Sequence, residues 1–201
     1  MSIIKQADII RQISSEDLKK SVFYTQFILL SISIVSSFIL FDNFTDWFVL
    51  FKLNPKDIFY YGIIPAIIVI ALNIILSRYV PNRYLDDGGI NEKLFKSQSV
   101  FSIIIIALTI AIAEELLFRG VIQTVFGYIF ASSLFAIIHI RYLKKPVLLI
   151  SIIIVSFYIG YLFEVTQNLL VTITAHFIID FILGLLIKYK TRGEQYGRRN
   201  G

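Results

Sequence analysis

Long apolar runs separated by short polar stretches organise this chain. Residues 22–41 and about 59–80 form the first two runs. A hydrocarbon core of ~30 Å needs ~20 helical residues, so each is predicted to be one transmembrane helix. Pro65 is expected in the first turns of the second helix, where proline disturbs least. Residues 42–57, with Asp46, Trp47 and Asn54-Pro55, read as an interfacial loop. Residues 81–98 read as a second loop, with Asp86-Asp87-Gly88-Gly89 as its turn signal. The stretch 99–140 is too long for one span, and Gly127 or a neighbouring residue is its predicted break, giving a helical hairpin. Residues 147–163 make a fifth run, 164–168 a short loop, and 169–187 a sixth.

The ends differ from this pattern. Over residues 1–20, Ile3, Ile4, Ala7, Ile10 and Ile13 recur at helical spacing opposite Lys5, Asp8, Gln12 and Glu16. A short helix lying on the membrane surface is expected there, and no cleavable signal peptide. Residues 188–201 form a basic tail, expected to be disordered. The predicted fold is all-α, a polytopic transmembrane bundle of about six spans plus the N-terminal interfacial helix, in one membrane-embedded domain over 1–201.

Composition strengthens this reading. Of 201 residues, 57% are apolar and 16% charged, against ~45–50% and ~25% in soluble domains. The mean hydropathy is +0.77. There is no cysteine, so no disulfide, thiol nucleophile or cysteine metal site is available. The net charge of +5 suggests nucleic acid at first sight, but the basic residues sit in the gaps between apolar runs. That is the pattern of a protein facing anionic lipid, with no nucleic-acid partner. Lys52 and Lys56 lie between the first two runs and Arg119 within a run; every other Lys and Arg falls on the opposite side. The positive-inside rule then places both termini in the cytoplasm. No inverted repeat of the transporter type is visible. The abundance of Ile, Phe and Lys is compatible with a low-GC bacterium, hence a bacterial plasma membrane.

Six ionisable residues lie inside these runs: Glu114, Glu115, Arg119, His139, His176 and Asp180. A charge at the bilayer centre costs ~2.5–3.5 kcal/mol on insertion scales, so these groups should face one another or a wet cavity. A polar network that merely fixes helix packing is the plainer alternative. Glu115 and Arg119 are four apart with the acid first, the favourable order for an ion pair. That pair reads as structural. Glu114 lies ~100° around the helix and is left for other work. His176 and Asp180 share a face, as do Phe135 and His139. Phe135 reads as a packing residue. With a turn at Gly127, Glu114 and His139 both lie about a dozen residues from it and meet at one depth. One site built from three helices is therefore available.

Two chemistries suit these residues. Glu114, His139 and His176 can hold Zn²⁺ in an open catalytic site, although the helical H-E-x-x-H signature is absent. Alternatively, a carboxylate and an imidazole deprotonate a water that attacks a carbonyl, while a histidine and Asp180 hold the oxyanion. Asp180 can do so only if it is protonated or its histidine partner is cationic. The expectation is that no cofactor is required.

Glu114-Glu115 with Arg119, Phe135 with His139, and His176 with Asp180, in that order on successive helices, resemble the motifs of the CAAX-protease and bacteriocin-processing (CPBP, or Abi) intramembrane proteases. Phe118-Arg119-Gly120 and Gly160 fit the same pattern. The resemblance covers residues 99–187, and the first two runs add nothing to it. It implies endopeptidase chemistry, with Glu114 and His139 activating water and His176 with Asp180 stabilising the oxyanion. Glu115, Arg119 and Phe135 would support them. Asp180 departs from the Asn of the prenyl-protein enzymes, which bears on the CAAX substrate more than on the chemistry. The expected function is an intramembrane peptidase acting on a hydrophobic or lipid-anchored peptide or protein within the bilayer. The alternative is a non-catalytic membrane immunity or scaffold protein that sequesters a peptide or partner helix. A proton-linked transporter is a third class, disfavoured by the missing repeat and the lack of Pro- or Gly-broken helices.

Overall fold

The computed structural model describes residues 12–85, 87–142 and 145–199. The expected surface helix over 1–20 falls largely on residues 1–11, outside the described residues. Among the described residues every regular element is helical. We number them α1 (Ser15–Leu40), α2 (Asp46–Leu50), α3 (Pro55–Tyr79), α4 (Asn82–Leu85), α5 (Ile90–Phe95), α6 (Val100–Phe126), α7 (Tyr128–Ile138), α8 (Pro146–Thr166) and α9 (Leu169–Arg199). Five of them, α1, α3, α6, α8 and α9, are long and apolar enough to cross a membrane.

The predicted hairpin breaks at Gly127, whose φ of 86° and ψ of 166° glycine reaches without the Cβ clash that other residues meet. The second arm is shorter than expected. α7 has 11 residues, roughly 16 Å at 1.5 Å per residue, about half a hydrocarbon core. It ends because the chain beyond it is drawn sideways. Arg141 pairs with Asp87 at 3.7 Å and donates to Asn91 Oδ1 at 3.3 Å. Six apolar runs thus give five full-length helices and one short one.

Three boundaries differ from expectation. The second span starts at Pro55, capped by Asn54 Oδ1, which accepts from the backbone N–H groups of Lys56 and Asp57. Pro65 is therefore well inside α3. The preceding stretch, Ile58–Ile63, widens into a π-turn in which the Ile64 N–H reaches the Phe59 carbonyl. This relieves the clash a proline ring makes with the carbonyl four residues back. The loop expected at 164–168 shrinks to Gln167 and Asn168, because Glu164 stays helical and accepts a hydrogen bond from Gln123 at 3.0 Å. Within the tail, residues 188–199 are helical, because α9 continues to Arg199. No proline interrupts it. Lys188, within this stretch, is buried and donates to the Gln98 carbonyl.

α9 is the central helix, packed against α3, α5, α6 and α8, while α1 lies on α6 and α7 on α8. An apolar core of Ala66, Ile70, Ile159, Leu162, Val171, Ala175 and Ile179 joins α3, α8 and α9. α1 is built inside out for water and correctly for lipid. Gln26, Ser33 and Ser37 are buried, whereas Phe27, Val35, Phe38 and Ile39 are exposed. Lipid removes the usual drive to bury large apolar side chains, so helix contacts go to small and polar ones.

Candidate active site

α6 carries the acidic pair at its midpoint, where the helix widens into a π-turn over Leu116–Gln123. The two glutamates serve different neighbours. Glu115 is fully buried, with Oε2 at 3.4 Å from Arg119 Nε and Oε1 at 2.9 Å from His176 Nδ1. Glu114, one residue earlier, accepts a hydrogen bond from Gln26 Nε2 of α1 at 3.4 Å. Its Oε2 lies 4.0 Å from His176 Nε2. Glu114 is therefore not the unpaired charge its sequence neighbourhood implies.

Arg119 is as buried as Glu115, and both of its terminal nitrogens are hydrogen-bonded. One terminal nitrogen donates to Gln123 Oε1 at 3.4 Å and to Ser132 Oγ at 3.3 Å. The other donates to the Ser156 carbonyl at 3.1 Å. The Phe135 ring lies 5.4 Å from the guanidinium, close enough for cation–π attraction. Gly160 makes room for this cradle, since a Cβ there would lie 2.5 Å from Ser132 Oγ and 3.0 Å from an Arg119 nitrogen. Gln123 completes it by donating to the Gly160 carbonyl at 2.9 Å. The expected ion pair is present, as part of a larger polar network.

His176 and Asp180 face each other on α9 as their spacing predicts, with Nε2 at 3.5 Å from Oδ2. Both ring nitrogens of His176 thus point at carboxylates, and both can donate only when the ring carries two protons. Asp180 is half-exposed, so the cluster opens on its side.

His139 caps the C-terminus of α7. Its Nδ1 lies 2.8 Å from the Phe135 carbonyl, which only accepts, so Nδ1 donates. In the neutral ring the lone pair is then on Nε2. Tyr142 stacks on the imidazole at 5.9 Å between centroids. Phe135 links the two histidines, 4.8 Å from His139 and 6.2 Å from His176, and meets Phe118 edge-on at 5.0 Å. The structure thus gathers Glu114, Glu115, Arg119, His176 and Asp180, with His139 across Phe135 from them. Sequence reasoning missed Gln26, Gln123, Ser132 and Ser156. Gln26 and Gln123 carried a signal, each as an amide inside an apolar span.

Among the described residues, no three or more His, Asp or Glu side chains are arranged to hold a metal ion. His176 Nδ1 is engaged by Glu115, and His139 Nδ1 by the Phe135 carbonyl.

Comparison with known proteins agrees with this layout. The family model described as type II CAAX prenyl endopeptidase Rce1-like matches residues 96–182, a range that runs from before Glu114 to beyond Asp180. The uncharacterized protein YpbD of Bacillus subtilis (strain 168) is 39% identical over 166 residues, 83% of this chain and 88% of that protein. No solved structure matches. Five membrane-length helices, the Glu-Glu-x-x-x-Arg, Phe-x-x-x-His and His-x-x-x-Asp residues brought around one centre, and these two matches lead to one conclusion: the chain is an integral membrane protein belonging to the Rce1-like family of type II CAAX prenyl endopeptidases.

Proposed function

We propose that this protein is an intramembrane endopeptidase that cleaves a hydrophobic or lipid-anchored peptide by direct attack of water. The observation that carries the reading is the division of labour between the two glutamates. Glu115 is enclosed by Arg119 and His176, whereas Glu114 holds one long hydrogen bond and turns its other oxygen toward His176. A carboxylate so loosely held is free to take a proton.

In this mechanism Glu114 and the Nε2 lone pair of His139 receive the two O–H bonds of a water. Its oxygen attacks the scissile carbonyl as Glu114 takes the proton. The C=O π electrons move onto oxygen, and the positive charge of His176, kept protonated by Glu115 and Asp180, stabilises that oxyanion. Collapse breaks the C–N bond, and the proton from Glu114 goes to the leaving amine. Glu115 and Arg119 hold His176 in place. These steps call on no metal or other cofactor.

An apolar groove of about 520 Å³, lined by Phe23, Tyr24, Phe27 and Leu30 of α1 and Thr109 of α6, flanks Gln26 along the same helix. Its lining is apolar, as contact with the acyl or prenyl chain of a lipid-anchored substrate would require. The distribution of basic residues supports an orientation with both termini on the cytoplasmic side of the membrane, which in this reading is a bacterial plasma membrane. The test is hydrolysis of a fluorogenic farnesylated CAAX-type peptide by the protein in nanodiscs. Cleavage by the parent and its loss in Glu114→Gln support the reading. No cleavage of this probe, together with no membrane peptide whose ends depend on Glu114 in a terminal-peptide comparison of cells, would replace the enzyme with a non-catalytic binding protein.

A further inference from the structure

Gln26 and Gln123 are both buried amides, and they are satisfied very differently. Gln123 accepts from Arg119 and donates to Gly160 and Glu164, so both ends of its side chain are engaged. Gln26 is 5% exposed and uses one end only. Its Nε2 donates to Glu114 Oε1 at 3.4 Å, while its Oε1 has no hydrogen-bond partner among the described residues. The amide cannot be reversed against an ionised Glu114, because two acceptors would then face each other. Buried carbonyl oxygens normally find a donor, and one left open deserves a reason.

The position supplies the reason. Gln26 reaches from α1, outside the three motif-bearing helices, to the carboxylate assigned the proton-transfer role. A peptide entering a lipid-embedded site brings backbone N–H groups that have lost water and must find acceptors. In the mechanism above, the two O–H bonds of the attacking water go to Glu114 and His139. A donor on the substrate is what remains for Gln26 Oε1.

Resting on the peptidase reading, we propose that Gln26 is a positioning and substrate-binding residue. Its Nε2–H fixes the Glu114 carboxylate, and its Oε1 accepts a backbone N–H of the bound peptide. Two variants separate this from a packing role. Gln26→Met keeps the length without the polar ends, and Gln26→Asn keeps the amide but shortens its reach.

The first arm measures kcat and KM on the fluorogenic farnesylated CAAX-type peptide in nanodiscs. Both variants should lower kcat and raise KM, each by about tenfold, the scale of losing one hydrogen bond to a charged group and one to a bound partner. The second arm needs no substrate. Dicyclohexylcarbodiimide, which is membrane-soluble, attacks protonated carboxyl groups, and mass spectrometry reads its adduct on Glu114 at fixed pH. Losing the donor should make Glu114 react at least about threefold faster in both variants. Unchanged Glu114 labelling in a folded variant overturns the positioning role, and a fall in kcat with KM within twofold of the parent overturns the acceptor role. If the parent cleaves no probe, the peptidase reading of this substrate fails, while the labelling arm still decides whether Gln26 governs Glu114.

Discussion

Gly160→Ala adds one methyl group to the tightest point behind the site, and its consequences can be worked out from the contacts. The new Cβ would lie 2.5 Å from Ser132 Oγ, 3.0 Å from an Arg119 nitrogen and 3.0 Å from the Tyr128 ring. Carbon–carbon contacts are comfortable near ~3.5–4.0 Å, so neighbours must retreat by on the order of 1 Å. None retreats freely. Ser132 Oγ accepts from Arg119, the Tyr128 hydroxyl donates to the Phe157 carbonyl at 2.9 Å, and Arg119 is enclosed. Overpacking of this kind costs ~1–3 kcal/mol, and turning Ser132 away from the guanidinium sacrifices a charge-assisted hydrogen bond of ~1.5–3 kcal/mol. Because one displacement causes both, a total of ~2–4 kcal/mol is expected. Equilibrium unfolding in mixed micelles measures it. Ser132→Ala removes the 2.5 Å obstacle, so the double variant should lose at least ~1 kcal/mol less than the sum of the singles, well outside the ~0.3–0.5 kcal/mol of independent sites. Additive losses, or a neutral Gly160→Ala, would refute the cradle.

The same logic applies to Gly120, where a Cβ would lie 2.6 Å from the Trp47 ring. Gly120→Ala should displace that ring and change its fluorescence, and an unaltered spectrum from the chain's single tryptophan would contradict the contact. A single cysteine introduced into this cysteine-free chain at position 52 should react with an impermeant reagent on intact cells, and one at 198 only after lysis. The reverse pattern would overturn the orientation drawn from the basic residues. Elemental analysis of purified protein should show far less than one zinc per chain, and a stoichiometric metal that restores activity after chelation would defeat the metal-free mechanism.

The series of apolar runs and the break near Gly127 were legible because each rests on local signals: run length, and a glycine within a stretch too long for one span. The i,i+4 pairs were legible for the same reason, since helical periodicity states which residues share a face. Contacts between helices are not written that way. Gln26 meets Glu114 across 88 residues and His176 meets Glu115 across 61, so neither partnership appears in any spacing. Helix ends were misjudged where a side chain found a partner elsewhere. Glu164 stays helical beside Gln123, and the chain leaves α7 early toward Asp87 and Asn91.

The claim that Glu114 does chemistry while Glu115 holds structure is tested most directly by comparing Glu114→Gln with Glu115→Gln in nanodiscs, scoring hydrolysis of the farnesylated peptide per folded molecule alongside unfolding free energy. Glu114→Gln keeps the side chain's size but removes the base, so turnover should fall by ~10²–10⁴, with a smaller loss of stability than in Glu115→Gln because Glu114 holds only one long hydrogen bond. Glu115→Gln leaves Arg119 buried without its counter-ion, which should cost ~3–5 kcal/mol of stability, while the molecules that remain folded keep more activity than Glu114→Gln. Equal turnover in Glu114→Gln and parent, or a stability loss confined to Glu114→Gln, would contradict the account.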